Sequence, residues 1–276
     1  MRRLSSLIAA TAAAPALLAA LPAAAVPLLA PHRAVYDLAL DKASDKSGIT
    51  GLSGRMVYEF NGSPCEGYTV TFRFVTRIDT GENSRLTDQQ TTTFEEGDGK
   101  SFSFVTKSFV DQNLDKEVKG TAKLGANGLV VDIERPQQQL LDLAPTRFPT
   151  QHLLELIEKA EKGQTFYETN LFDGSEDADR VMTTTVVIGK KETAQKSDPE
   201  LPALAQGLDK DAYWPVDIAY FDESDKGGEE TPEYRISFKM HENGLTRDLE
   251  MDYGDFSMKG KLVSLSLFDK PKACKK

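Results

Sequence analysis

The chain has 276 residues, a formal net charge of −10 and 39% hydrophobic residues, with only two cysteines and one tryptophan. So acidic a balance lacks the cationic footprint with which proteins neutralise phosphates, which excludes nucleic acid as a partner and disfavours charge attraction to anionic lipid headgroups. The length permits one large β domain or two small ones.

The first stretch stands outside the fold. Arg2 and Arg3 precede an alanine- and leucine-rich run interrupted by Pro15 and Pro22, and Ala23 to Ala25 offer a small-x-small cleavage pattern. This predicts a cleavable signal peptide over 1–25 and a single exported domain over 26–276. A permanent membrane anchor is the alternative, which an alanine-rich run broken by proline suits less well. No cysteine follows the cleavage region to carry a lipid, and no later stretch is long and apolar enough for a bilayer. The mature chain is therefore not expected to be an integral membrane protein.

Two cysteines in an exported chain more often pair than stay free, because the compartment is oxidising. A Cys65–Cys274 bond would tie the end of the chain to one of its early strands. Loop-closure entropy sets an upper value of roughly 5 kcal/mol for so long a loop. The pair lacks the Cys-x-x-Cys spacing of redox centres, so its role is read as structural.

In chain order, alternating strands are expected at 34–40 and 55–60, followed by the turn Asn61-Gly62 and a strand over 68–78. There Val70, Phe72, Phe74 and Thr76 share one face. Segment 84–94 is polar and reads as a strand with a solvated face, followed by strands at 101–110, 116–124 and 128–134. Pro145 and Pro149 mark an irregular connection. Thr150 is the expected N-cap of a helix over 151–162 that Gly163 ends, with Leu153, Ile157 and Ala160 at helical spacing. This is the one main helix of the sequence, and it suits a plug for a curved sheet.

Strands resume at 164–172 and 180–188, and 189–207 reads as a long polar excursion. Pro215 predicts that 213–221 is an edge strand or starts after the proline. Strands 233–241, 245–253 and 256–268 form a closing meander, the first two joined by Asn243-Gly244. About a dozen strands with short turns predict a mostly β protein: a large curved or spiral antiparallel sheet, half-open and barrel-like.

Searches for chemistry return little. His32, His152 and His241 have no metal spacing, so no metal site is expected. No G-x-S-x-G element or dinucleotide loop is present, so no catalytic residue and no cofactor are assigned. The acidic run Asp173 to Asp179 lacks the order of a calcium loop and reads as solvated. What remains is shape. Phe72, Phe74, Phe102, Phe104, Tyr234, Ile236 and Phe238 could line a concave apolar groove rimmed by Tyr213 and Trp214. The alternative is that these rings pack on the helix and on each other.

The Asn61-Gly-Ser-Pro-Cys65-Glu-Gly-Tyr68 element, the Tyr213-Trp-Pro215 segment, the leader and a cysteine close to the C-terminus together resemble the EipB family of periplasmic envelope-integrity proteins. The resemblance spans the whole mature chain and includes no catalytic motif. It implies a β-spiral fold, a Cys65–Cys274 disulfide, a periplasmic location and a non-enzymatic role in envelope maintenance. The partner would be a periplasmic protein or peptide, a lipoprotein or a lipid. A hydrolase assembled from distant strands and a docking protein that uses a strand edge are the competing readings.

Overall fold

The computed structural model describes residues 29–204, 208, 210, 212–222, 231–269 and 274. The expected signal peptide lies outside them. The strands are β1 (His32–Ala43), β2 (Ile49–Ser63), β3 (Gly67–Thr80), β4 (Ser84–Glu95), β5 (Ser101–Val110), β6 (Asn113–Gly125), β7 (Gly128–Arg135) and β8 (Gln139–Leu143). After helix α1 (Pro149–Glu161) come β9 (Phe166–Leu171), β10 (Met182–Ile188), β11 (Glu192–Thr193) and the short helix α2 (Leu201–Leu204). The chain ends with β12 (Ala212–Phe221), β13 (Tyr234–His241), β14 (Thr246–Asp252) and β15 (Phe256–Leu267).

All these strands belong to one sheet, in the order β8-β7-β6-β5-β4-β3-β2-β1-β15-β14-β13-β12-β10-β9, with β11 beside β12. The pairings are antiparallel, as short turns between successive strands require. The first and last strands meet: β1 pairs with β15 from His32↔Leu267 to Ala43↔Phe256. Cys65 and Cys274 are disulfide-bonded with Cα atoms 5.7 Å apart, across a sequence separation of 209. The end of the chain is thus held to the β2–β3 turn.

The sheet does not close through a strand ladder. β8 and β9 are its ends, and the chain leaving β8 reaches across to β9, where Arg147 makes a parallel bridge to Leu171. Side chains do the rest. Phe148 packs on Phe102 of β5, and Phe172 on Phe102, Phe104 and Phe148, with ring centroids 5.2 to 6.4 Å apart. Gly174 lies so close to the Phe104 ring that an added Cβ would stand 2.6 Å from it, and its φ of +68° also favours glycine. A second, larger cluster joins α1 to the inner faces of β1–β3 and β10–β15 through residues such as Tyr36, Ile157, Val186 and Met240.

Two sequence expectations change. Helix α1 begins at Pro149 with Phe148 as N-cap, so Thr150 is inside the first turn and buried. Proline is tolerated there because the first helical N–H groups have no intrahelical partner. β12 is an interior strand, not an edge. Pro215 fits because its missing N–H falls beside the break between β10 and β11, where its carbonyl accepts the Gly189 N–H at 2.7 Å. His32 belongs to β1 and is buried, its Nδ1 2.7 Å from the Ala30 carbonyl.

Candidate binding site on the concave face

Strand alternation sends Val70, Phe72, Phe74, Thr76 and Ile78 of β3 to the inner side, level with Phe60, Tyr58, Met56, Gly54 and Leu52 of β2. Met56 and Phe60 are buried, whereas Tyr58, Phe72, Phe74 and Ile78 remain half-buried although they point inward. Phe72 and Phe74 stack on each other, with centroids 5.9 Å apart and planes 18° from parallel. Part of the inner surface is therefore an apolar wall that packs against the larger cluster and is only partly covered by it.

The next strand explains the opening. On β4 the residues facing Val70, Phe72, Phe74, Thr76 and Ile78 are Thr93, Thr91, Gln89, Thr87 and Arg85. This inner face carries no apolar side chain. Its hydroxyls satisfy one another instead, Thr76 to Thr87 at 2.6 Å and Thr91 to Thr106 of β5 at 3.0 Å. A self-paired hydroxyl lane offers no apolar area for the Phe wall to bury, so the two sides have little drive to collapse. At the rim, Arg85, Ile78, Ile49 and Asp111 line a depression of about 550 Å³.

The opposite end is sealed by α1. Its first turn is capped from another strand: the Glu95 carboxylate at the end of β4 accepts the N–H of Thr150 at 2.7 Å and of Gln151 at 3.0 Å. Burial pushes the Glu95 carboxyl up to about 7, against the opposing pull of those donors. His152 follows in the same turn, its Nε2 3.3 Å from the Thr184 hydroxyl, and burial lowers it to about 4.

A second polar centre lies where β14 and β15 part. Their ladder covers only Leu249↔Gly260 to Asp252↔Ser257. Beyond it the Glu200 carboxylate enters the gap and accepts the N–H of Leu262 at 2.6 Å and of Asp248 at 3.1 Å. Fully buried Arg247 donates from Nη1 to Glu200 and Asp198, both at 2.9 Å, and from Nε to His241 Nε2 at 3.0 Å. Its guanidinium also lies 5.1 Å from the Tyr213 ring centroid. This cluster is capping and charge pairing, and no alternation or spacing rule reveals it in the sequence.

The residues singled out from the sequence separate into two groups. Phe72, Phe74, Tyr234 and Ile236 are inward and half-buried. Phe102 and Phe104 are 1% exposed within the cluster that closes the sheet, and Phe238, Tyr213 and Trp214 are likewise buried. Tyr234 instead belongs to a file of rings, 4.1 Å from Tyr220 and 6.1 Å from Tyr253. Arg85 and the inner hydroxyls of β4 went unrecognised, although their odd-position alternation was visible. The acidic run is not free: Asp177 pairs with Lys116 at 2.6 Å, and Glu176 pairs with Arg180. No described helix is long and apolar enough to cross a membrane.

Residues 23–269 match the EipB-like protein family. The chain is 59% identical over 248 residues to the cell envelope integrity protein EipB of Brucella abortus (strain 2308), covering 90% of this chain and 87% of that protein. It is also similar to the crystal structure of a beta-barrel-like protein of domain of unknown function DUF1849 from Brucella abortus. That match has a TM-score of 0.84 and 59% identity, over 88% of this chain and 99% of the other. The chain belongs to the EipB-like family.

Proposed function

We propose that this member of the EipB-like family maintains the cell envelope from the periplasm by binding, without catalysing a reaction, a peptide, lipoprotein or lipid on its concave face. The observation that carries the reading is that Phe72, Phe74 and Ile78 point inward yet stay half-buried, beside a lane of β4 that carries no apolar side chain. The envelope role rests on the 59% identical Brucella relative, whose name states it. The disulfide supports an oxidising compartment.

The test is rescue of a strain that lacks the gene. A Phe72→Asp/Phe74→Asp chain puts two charges on rings that pack against the larger cluster, so its melting temperature and abundance are first matched to wild type. It should fail to restore resistance to detergent and cell-wall stress. Full rescue by that variant, at wild-type abundance, would remove the concave face from the function.

A further inference from the structure

The geometry points to a monoacyl carboxylate, a long-chain fatty acid, as the occupant of the concave face, its chain along Phe72, Phe74 and Ile78 and its head at Arg85. This deepens the concave-face reading and depends on it. The first argument is charge. Three outer-face arginines are paired across strands, Arg55 with Asp37 at 2.7 Å, Arg73 with Asp88 at 2.8 Å and Arg235 with Asp217 at 2.8 Å, whereas Arg77 at the outer end of β3 is not. Arg85 belongs to the inner-face series, opposite Ile78, and unlike Arg73 it forms no ion pair with a carboxylate among the described residues. The one acid in its depression, Asp111, uses its carboxylate on the Leu86 N–H at 3.0 Å.

A guanidinium at the end of an apolar wall matches a carboxylate in shape and charge. A single cation with Asp111 nearby suits a monoanion better than a multiply charged head. The second argument is length. From Phe72 to Ile78 a strand advances roughly 20 Å. The hydrocarbon of one bilayer leaflet is about 15 Å deep, half of the full core, so one acyl chain matches the wall. The third is the lane opposite. The Thr76–Thr87 and Thr91–Thr106 pairs ask nothing of a ligand, so the free side of a single chain can face them at little cost.

The test uses the disulfide-bonded protein freed of co-purified lipid, titrated with hexadecanoate and, as a head-group control, hexadecanol, with binding read by native mass spectrometry. Saturable one-to-one binding of hexadecanoate is expected. Arg85→Gln, at an exposed position and expected to leave the melting temperature unmoved, should weaken hexadecanoate at least tenfold and leave hexadecanol unchanged. Phe74→Ser should weaken both. No binding of hexadecanoate, or equal loss of acid and alcohol in Arg85→Gln, overturns the assignment. If that happens while Phe72→Asp/Phe74→Asp still fails to rescue, the concave-face reading stands with a different ligand. If that variant also rescues fully, both fall.

Discussion

Two buried carboxylates, Glu95 and Glu200, perform the same task in different parts of the sheet, and their surroundings separate them. Each accepts two backbone N–H groups that secondary structure leaves without partners. Glu95 does so at the start of α1 with no cation beside it among the described residues. Glu200 does so between β14 and β15 with Arg247 in contact at 2.9 Å. Burial raises both carboxyls, but only Glu200 has a guanidinium drawing it back. The helix terminus supplies a partial charge where Arg247 supplies a whole one. The first arrangement can exchange a proton near neutrality, whereas in the second the contact with Arg247 favours the ionised form against burial.

The largest effect is expected from taking the cation away. Arg247→Met leaves Glu200 and Asp198 buried at 1% and 4% side-chain exposure without their shared partner. Breaking a buried pair from one side costs about 3–5 kcal/mol, read as a lower urea midpoint with an unchanged slope. Adding Glu200→Gln to Arg247→Met should return part of that loss. A single variant as stable as wild type would show that the cluster is not what holds the gap.

Glu95 tests the other side through pH. Its folded-state carboxyl stands at about 7, above the unfolded value of 4.5, so the folded protein binds the proton more tightly in that window. Its contribution to stability is full below 4.5 and is lost as pH rises through 7, a swing of about 3 kcal/mol. His152 and His241, both lowered to about 4 from 6.5, act in the opposite sense and lose stability as pH falls from 6.5. The Glu95 term therefore has to be read as a difference. Wild type should gain stability relative to Glu95→Gln between pH 7 and pH 5, with a flat difference above pH 8. A difference that is flat throughout would place the Glu95 carboxyl at an ordinary value.

The two sites also mark what alternation reveals. The inner face of β3 was legible because Val70, Phe72 and Phe74 recur every second residue, and the meander from Tyr234 to Leu267 was legible in the same way. The helix was visible from Leu153, Ile157 and Ala160, but its cap was not. The cap is Glu95, 55 residues before Thr150 in the chain. Glu200 and Arg247 are 47 residues apart in a polar excursion and a strand, and neither position differs by composition from a solvated one. β8 went unread because its five residues fall between prolines. Local periodicity records which side chains share a face. It carries no record of which distant backbone groups lack partners, and those groups are what the buried carboxylates serve.

The smallest effect distinguishes a rim charge from a buried one within the Glu200 cluster. Lys239 reaches Asp198 at 3.2 Å and Asp248 at 2.8 Å, but a quarter of its side chain is exposed, against none of Arg247. Its ammonium also lies 5.3 Å from the Tyr213 ring centroid, so its stem packs while its head remains in contact with water. Lys239→Met keeps the stem and removes only the charge, which should cost below about 1 kcal/mol. Because the pair is partly solvated, the loss should shrink as salt is raised to 1 M, whereas the Arg247→Met loss should not. Parallel urea titrations of both variants at low and high salt make the comparison. Equal salt sensitivity would mean that Arg247 is reached by ions, and the distinction between a carboxylate capped by backbone alone and one paired with a buried cation would then have to rest on Glu95 alone.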